Sequence, residues 1–345
     1  MKNARLLQGW MASAAMLGLA AAWLTGCASP NSTPTAPEST RAGFLYRTNY
    51  HGWENSIWVS NGKVEAIIVP EVGRIMQFRF AGETDSPFWE NPETAGLASG
   101  QPGSSEPVVW REYGGDRVWP SPQIEWGNVM STNWPPPAAF DGSKVQAQVN
   151  GWVVTLTYPA DPDFGIRVKR RIELPAGQAK MEVSTEFEKL DNKTIDAGVW
   201  VMTQLKEPVG LYARLPMLSK FPQGFQPMSG RLPPSLAIRD RLLSLGRDSE
   251  NDYRLGLEVG SVLWMNDDIV LKIDSPRLPD RNYPENGISA IVSTHQNPQD
   301  FVQVDMLAPV AQIREGHVLK QRSSYSLLRR KELDPRLEAA RLLRP

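Results

Sequence analysis

The chain has 345 residues, 41% of them hydrophobic, with 37 basic and 38 acidic side chains for a net charge of −1. That length can bury a large core, in one big β domain or two ordinary ones. The charges are mixed along the chain with no run of Lys or Arg, so composition gives no case for nucleic acid, and a single cysteine excludes a disulfide framework.

In chain order, Lys2 and Arg5 precede an apolar run from Trp10 to Leu24 that is too short to span a bilayer comfortably, and Leu24-Thr25-Gly26-Cys27 follows. The pattern resembles the lipobox of a bacterial lipoprotein precursor. The resemblance implies that residues 1–26 are a signal peptide removed on export. Cys27 would then carry several acyl chains, where one chain gives only marginal membrane binding. It implies a lipid-anchored protein of the bacterial cell envelope. In a diderm host, Ala28 and the lack of an aspartate retention signal point to the outer membrane facing the periplasm. An ordinary signal peptide beside a free thiol is the other reading. Ser29 to Arg41 contains Pro30, Pro34 and Pro37 and almost nothing apolar, so residues 27–41 read as an extended tether.

The chain then changes character. Ser56–Ser60 and Lys63–Pro70 flank Asn61-Gly62, the sequence best able to adopt a type I′ hairpin. Lys144–Val149 and Trp152–Tyr158 flank Asn150-Gly151, and Phe164–Leu174 and Lys180–Leu190 flank Pro175-Ala176-Gly177-Gln178. Further strands are expected at 254–259, 261–265, 269–273, 288–294 and 301–307. Pro216 to Pro234, rich in Pro and Gly, reads as a long irregular insertion. The one convincing helical pattern is Pro335 to Leu343, with Leu337, Ala340 and Leu343 near one face, which predicts a helix at the edge or partly loose. These elements predict an all-β antiparallel sandwich over residues 42–330 with a helical tail at 331–345.

Seven of the 12 tryptophans lie between Trp53 and Trp134. The later ones fall in Tyr113-Gly114-Gly115-Asp116-Arg117-Val118-Trp119-Pro120-Ser121-Pro122-Gln123 and in Asn133-Trp134-Pro135-Pro136-Pro137, stretches read here as irregular. Proline stiffens such loops and glycine permits their turns. Indole faces suit the C–H face of a pyranose, and Asp116, Arg117 and Gln123 can hydrogen-bond its hydroxyls. The competing reading makes the tryptophans hydrophobic plugs over one end of the sandwich.

Trp58-Val59-Ser60-Asn61-Gly62, Pro70-Glu71-Val72-Gly73-Arg74-Ile75, Phe88-Trp89-Glu90-Asn91-Pro92, the Gly114-to-Pro120 stretch and Val304-Asp305-Met306-Leu307-Ala308-Pro309 together resemble the DUF4380 family. That family is similar to the galactose mutarotase-like (aldose 1-epimerase-like) superfamily. The resemblance covers about residues 44–328 and implies a β-supersandwich with a sugar-sized groove on one sheet. It places Arg74 at an arginine that contacts the sugar and implies a carbohydrate ligand. Arg74 read alone is equally a surface ion pair.

Mutarotation needs a base at the anomeric hydroxyl and an acid at the ring oxygen, which the superfamily supplies with glutamate and histidine. Here Asp305 stands where the resemblance expects glutamate, and Gly198 to Leu205 carries no histidine. His51, His295 and His317 all fall in expected loops and read as solvated. No nucleophile elbow, phosphate loop or paired Cys/His spacing occurs, so no metal or cofactor is expected. Asp161-Pro162-Asp163 and Asn266-Asp267-Asp268 read as turns. A glycosidase-like pair drawn from Asp116, Glu125, Asp141 and Asp305 is a minor alternative. The sequence therefore predicts a lipid-anchored, carbohydrate-binding domain with Arg74, Asp116, Arg117, Trp119, Gln123 and Trp134 at the ligand and Asp305 as the candidate base. The alternative is a non-enzymatic assembly lipoprotein that uses the sandwich as a platform.

Overall fold

The computed structural model describes residues 43–98 and 109–344. Two antiparallel sheets form a sandwich. The first has eleven strands, in the order Phe44–Tyr50, Trp53–Ser60, Val64–Val69, Arg74–Phe80, Asp116–Ser121, Ile195–Lys206, Phe301–Leu307, Ala290–Thr294, Tyr253–Leu257 and Phe225–Pro227, with Ala311–Ile313 also pairing with Ile195–Lys206. The second has ten, in the order Ala237–Arg239, Leu242–Leu245, Gly210–Arg214, Ser261–Met265, Ile269–Asp274, Val318–Arg329, Lys180–Lys189, Ile166–Glu173, Val153–Asp161 and Gln146–Asn150.

Successive side chains alternate between the two faces of a strand, so each sheet commits one row to the shared core. Val118, Val199, Val201, Val302 and Val304 of the first sheet meet Val168, Val183, Leu271, Tyr325 and Leu327 of the second in one buried cluster. The second sheet buries its other face in part as well. Helix Pro335–Leu342 lies there, with Ala339 and Leu343 against Tyr212, Leu242, Leu263, Met265 and Val270. Asp334 caps it by accepting the N–H groups of Arg336 and Leu337.

The hairpins form, with different turns from those expected. Asn61 is outside the positive-φ region and only Gly62 has φ 86°. Asn61 works through its side chain: Oδ1 accepts the N–H groups of Lys63 and Val64, and Nδ2 donates to the carbonyls of Pro175 and Gln178. In the second hairpin Asn150 pairs with Val153, so the turn is Gly151-Trp152. Two further expectations fail. Asp116–Ser121 is a regular strand despite Pro120, which is tolerated because beyond Asp116 the strand has a neighbour on one side only. The segment 216–234 contains the short strand Phe225–Pro227, paired with Tyr253–Leu257. Among the described residues no helix is long and apolar enough to cross a membrane.

Candidate functional site

The face of the first sheet that points away from the sandwich core carries the polar and aromatic residues. Strand register brings them together. Arg117 and Trp119 sit opposite Met202 and Trp200. Asp305 and Gln303 sit opposite Met202 and Gln204 on the other side of the same strand. Ser293 follows beside Gln303, and Arg254 beside Ser293. Five neighbouring strands thus hold these side chains on one rigid, twisted surface.

A layer of loops closes over this surface from the Arg74 side. Gly114 and Gly115 allow the loop to pass, with φ of 89° and 71°. A Cβ on Gly114 would lie 2.3 Å from the Trp89 carbonyl oxygen, and one on Gly115 would lie 2.5 Å from that of Ile75. Arg74 is buried, donates to the Gly114 carbonyl at 2.8 Å and pairs with Asp141. The second oxygen of Asp141 accepts the indole N–H groups of Trp110 and Trp119 at 3.0 and 2.9 Å. Burial works against the Asp141 carboxylate, but Arg74, Arg117 and the two indoles outweigh it and hold its pKa below the usual range. Asp141 is therefore an ionised hub that fixes Trp119 and Trp110. Trp134 packs edge-on against both, with centroids 6.1 and 4.8 Å away, and is 51% exposed.

Arg117 links this hub to Asp305. Its guanidinium stacks 4.6 Å from the Trp119 ring, pairs with Glu112 and reaches Gln303 Oε1 at 3.4 Å. Burial opposes its charge, but Glu112 and Asp141 more than restore it. Gln303 in turn donates to Asp305 Oδ1 at 2.7 Å. Burial pushes the Asp305 carboxyl up to about 6, although Arg254, Gln303 and Arg117 pull it back. Two carboxyls on one face are thus driven in opposite directions, the arrangement that separates proton-donor and proton-acceptor roles.

Several buried polar atoms on this face have no partner: both amide atoms of Gln204, and Ser293 Oγ. Each loses hydration without a replacement hydrogen bond, an arrangement natural proteins generally avoid. His295 extends the row past Ser293. Its ring lies 4.3 Å from that of Phe301, and its Nε2 is buried and unpartnered. Burial lowers its pKa against the pull of Asp252 and Glu112, which keeps the imidazole neutral near pH 7. This differs from the solvated loop residue expected from Gln296-Asn297-Pro298.

Among the candidate residues, Arg74, Arg117, Trp119, Trp134 and Asp305 join in one chain of contacts. Gln123 lies at its margin, where it lines a small cavity with Trp200, Arg254 and Ile291 and donates to the Asn133 carbonyl at 3.4 Å. Asp116 does not belong to it. Asp116 faces the sandwich core, paired with Arg170 of the second sheet and accepting from Thr203 and Tyr325. Glu125 accepts a hydrogen bond from the Asn128 amide at 2.7 Å. Asp161 and Asn266 accept backbone N–H groups two and three residues on, as turn residues do. Cys27 lies outside the described residues. Glu112, Trp200, Gln204, Arg254, Ser293, His295 and Gln303 were missed from sequence. For Gln303 a signal existed, since Gln303 and Asp305 alternate with valine in an otherwise apolar strand.

No protein-family model matches the chain, and no curated protein matches it in sequence. Solved structures match in shape. A galactose mutarotase-like protein from Lactobacillus casei superposes with a TM-score of 0.56 at 11% identity, covering 79% of this chain and 100% of that one. A candidate aldose 1-epimerase from Klebsiella pneumoniae gives 0.52 at 9% identity, over 87% of this chain and 85% of the other. A TPR-domain-containing protein from Parabacteroides distasonis gives 0.52 at 11% identity over 83% of this chain, which spans 53% of that longer protein. The fold is therefore a galactose mutarotase-like antiparallel β-sandwich. At such identities the likeness is one of fold.

Proposed function

We propose that the outer face of the eleven-stranded sheet binds a carbohydrate and that the protein is held at the bacterial cell envelope by acyl chains on Cys27. The observation that carries the binding reading is the unpartnered buried polar atoms of Gln204 and Ser293 on the same sheet face as Asp305, Trp119 and Trp200. Sugar hydroxyls both donate and accept, so one ring can satisfy a carboxylate, an indole N–H and an amide at once while its C–H face lies on an indole. The mutarotase-like fold of the neighbours supports the same reading. So do the motifs that resemble DUF4380, a family similar to the mutarotase-like superfamily.

Asp305 is the residue placed to accept a proton from a bound sugar. Its raised pKa keeps it mostly ionised at neutral pH, near the operating range of a general base. His295 on the same face is held neutral by burial, so its ring N–H can donate a hydrogen bond to the sugar but it is not the protonated acid that ring opening needs. The platform alternative draws on the burial of Trp53, Trp119 and Trp126, which serve packing more than they present themselves. A glycan-array screen of the full chain in detergent decides between these readings. A glycan hit supports binding, and no hit with a copurifying envelope protein supports the platform. The anchor is tested separately by acyl labelling: Cys27→Ser loses labelled fatty acid, and a variant that still incorporates it overturns the site. Ala28 beside it, with no aspartate retention signal, supports sorting to the outer membrane, facing the periplasm, in a diderm host.

A further inference from the structure

A basic cavity of about 340 Å³ lies where the end of helix Pro335–Leu342 meets the second sheet. Five cations line it, Arg214, Arg241, Lys272, Arg277 and Arg344, against one carboxylate, Glu258, in a chain whose net charge is −1. The fold gathers them from well-separated stretches, which is why no basic run shows in the sequence. We infer that this patch, with the exposed Met217-Leu218 pair at its rim, is a contact surface for an anionic phospholipid membrane. The inference rests on neither the carbohydrate reading nor the acyl anchor.

The cations differ in how they are answered. Arg277 meets Glu258 at 3.2 Å, and Lys272 meets Asp274 at 3.1 Å. Arg214 and Arg241 donate to main-chain carbonyls instead, Arg214 to Leu343 at 2.6 Å and Asp240 at 3.3 Å, and Arg241 to Leu215 at 3.3 Å. A carbonyl orients a guanidinium but leaves its charge standing, so the cavity keeps a positive field. The turn that presents Arg241 holds Asp240 and Arg241 at left-handed φ of 51° and 61°, a conformation that Gly or Asn takes at lower cost. The remaining N–H groups of such a fork match the oxygens of a phosphodiester, the charged group of an anionic phospholipid.

The second observation is independent of charge. Met217 is 82% exposed and Leu218 93%. The loop that carries them is clamped to the cavity at both ends. The Leu215 N–H donates to the Arg241 carbonyl at 2.8 Å, while the Ser219 hydroxyl and the Lys220 N–H donate to Glu258 at 2.6 and 2.8 Å. Pro216, between these clamps, lines the cavity. The two apolar side chains therefore stand at the tip of a short loop beside the arginines. A soluble anion answers the arginines alone, and an apolar groove answers the loop alone. A bilayer offers both in adjoining layers, phosphates at the surface and acyl chains directly beneath.

The test places an environment-sensitive dye on the loop. Cys27 is the chain's one cysteine, so the full chain with Cys27→Ser and Leu218→Cys takes a single label and carries no acyl group. The dye reads the loop itself, whatever residues 1–26 contribute to vesicle binding. Its emission should shift to the blue on vesicles of equimolar phosphatidylcholine and phosphatidylglycerol, and shift little on phosphatidylcholine alone. The same dye at Val149→Cys, on the far edge strand of the second sheet, should stay unshifted on both. Arg214→Gln with Arg241→Gln should weaken the loop's response to anionic vesicles about twentyfold, from about fivefold per charge. Arg214→Lys with Arg241→Lys should retain most of the response, which a purely structural role for the two guanidinium groups does not allow. Met217→Ser should weaken it by about tenfold through lost apolar burial. Equal shifts on both kinds of vesicle overturn the inference, as do equal shifts at positions 149 and 218, or none at 218. Binding of inorganic phosphate that is lost in the double Gln variant, with the loop dye unshifted on vesicles, assigns the cavity to a soluble anion and also overturns it.

Discussion

Two buried aspartates sit on opposite faces of the eleven-stranded sheet, flanking the same strand, and their surroundings differ. Asp116 lies across from Thr203 and Asp305 across from Met202, one residue along. Asp116 points into the sandwich, where one oxygen meets Arg170 and the other meets Thr203 and Tyr325, so its bonding capacity is engaged. Asp305 points outward, held only by neutral donors, the Gln303 amide and the Trp200 indole. A buried charge with both oxygens engaged ties two sheets together. A buried charge held only by an amide and an indole, with no counter-ion of its own, is suited to a ligand that donates hydrogen bonds. Residue type alone does not separate the two roles.

The largest effect that would break this comparison is at Asp116. Asp116→Ala leaves Arg170 buried without its partner and should cost about 3–5 kcal/mol in urea unfolding. Adding Arg170→Met should recover part of that loss. If Asp116→Ala is neutral, the inner pair is not a structural tie.

Asp305→Asn should act in the opposite direction. Burial raises its carboxyl from 3.8 to about 6, so the folded state favours the protonated form. The sign follows: its contribution to stability is present below the unfolded pKa and is lost as pH rises toward 6. The neutral variant should be more stable than the parent above about pH 7, by at most roughly 3 kcal/mol, with the gain vanishing below about pH 4. Thermal unfolding across that range would show it, and a variant less stable at high pH would contradict the assigned environment.

Trp134→Ala should have the smallest effect on folding, since the side chain is half exposed. It should weaken glycan binding by about 1–2 kcal/mol through lost aromatic contact. Trp119→Ala is a poorer probe, because the ring is buried between Trp126 and Trp200 and its loss disturbs the fold as well as the face.

Much of the architecture was legible in the sequence because strands with one buried face alternate visibly. Ile166–Glu173 and Lys180–Lys189 form within the expected runs, and helix Pro335–Leu342 forms at the expected place, although Leu337 of the expected apolar face is 59% exposed and Ala339 and Leu343 are the buried residues. Asp116–Ser121 was hidden because Pro120 argues against a strand, and only tertiary pairing shows that its neighbour lies on one side. The site was legible in part. Arg117, Trp119 and Trp134 stand out by residue type and local density. Which face Asp116 takes depends on a one-residue register that local sequence does not reveal. Glu112, Trp200 and His295 join the site through pairings between strands far apart in sequence, and His295 keeps the appearance of a turn residue until Phe301 is placed beside it.

The most direct test is a paired titration of one array-identified glycan against the parent chain, Trp134→Ala, Asp305→Asn and the inner-face variant Tyr325→Phe. The account predicts weaker binding for Trp134→Ala and near-parent affinity for Asp305→Asn, with any anomer interconversion seen by proton NMR abolished in Asp305→Asn. Tyr325→Phe should retain parent affinity. Parent-like affinity in Trp134→Ala with a loss confined to Tyr325→Phe would place the ligand elsewhere and contradict the outer face as the site.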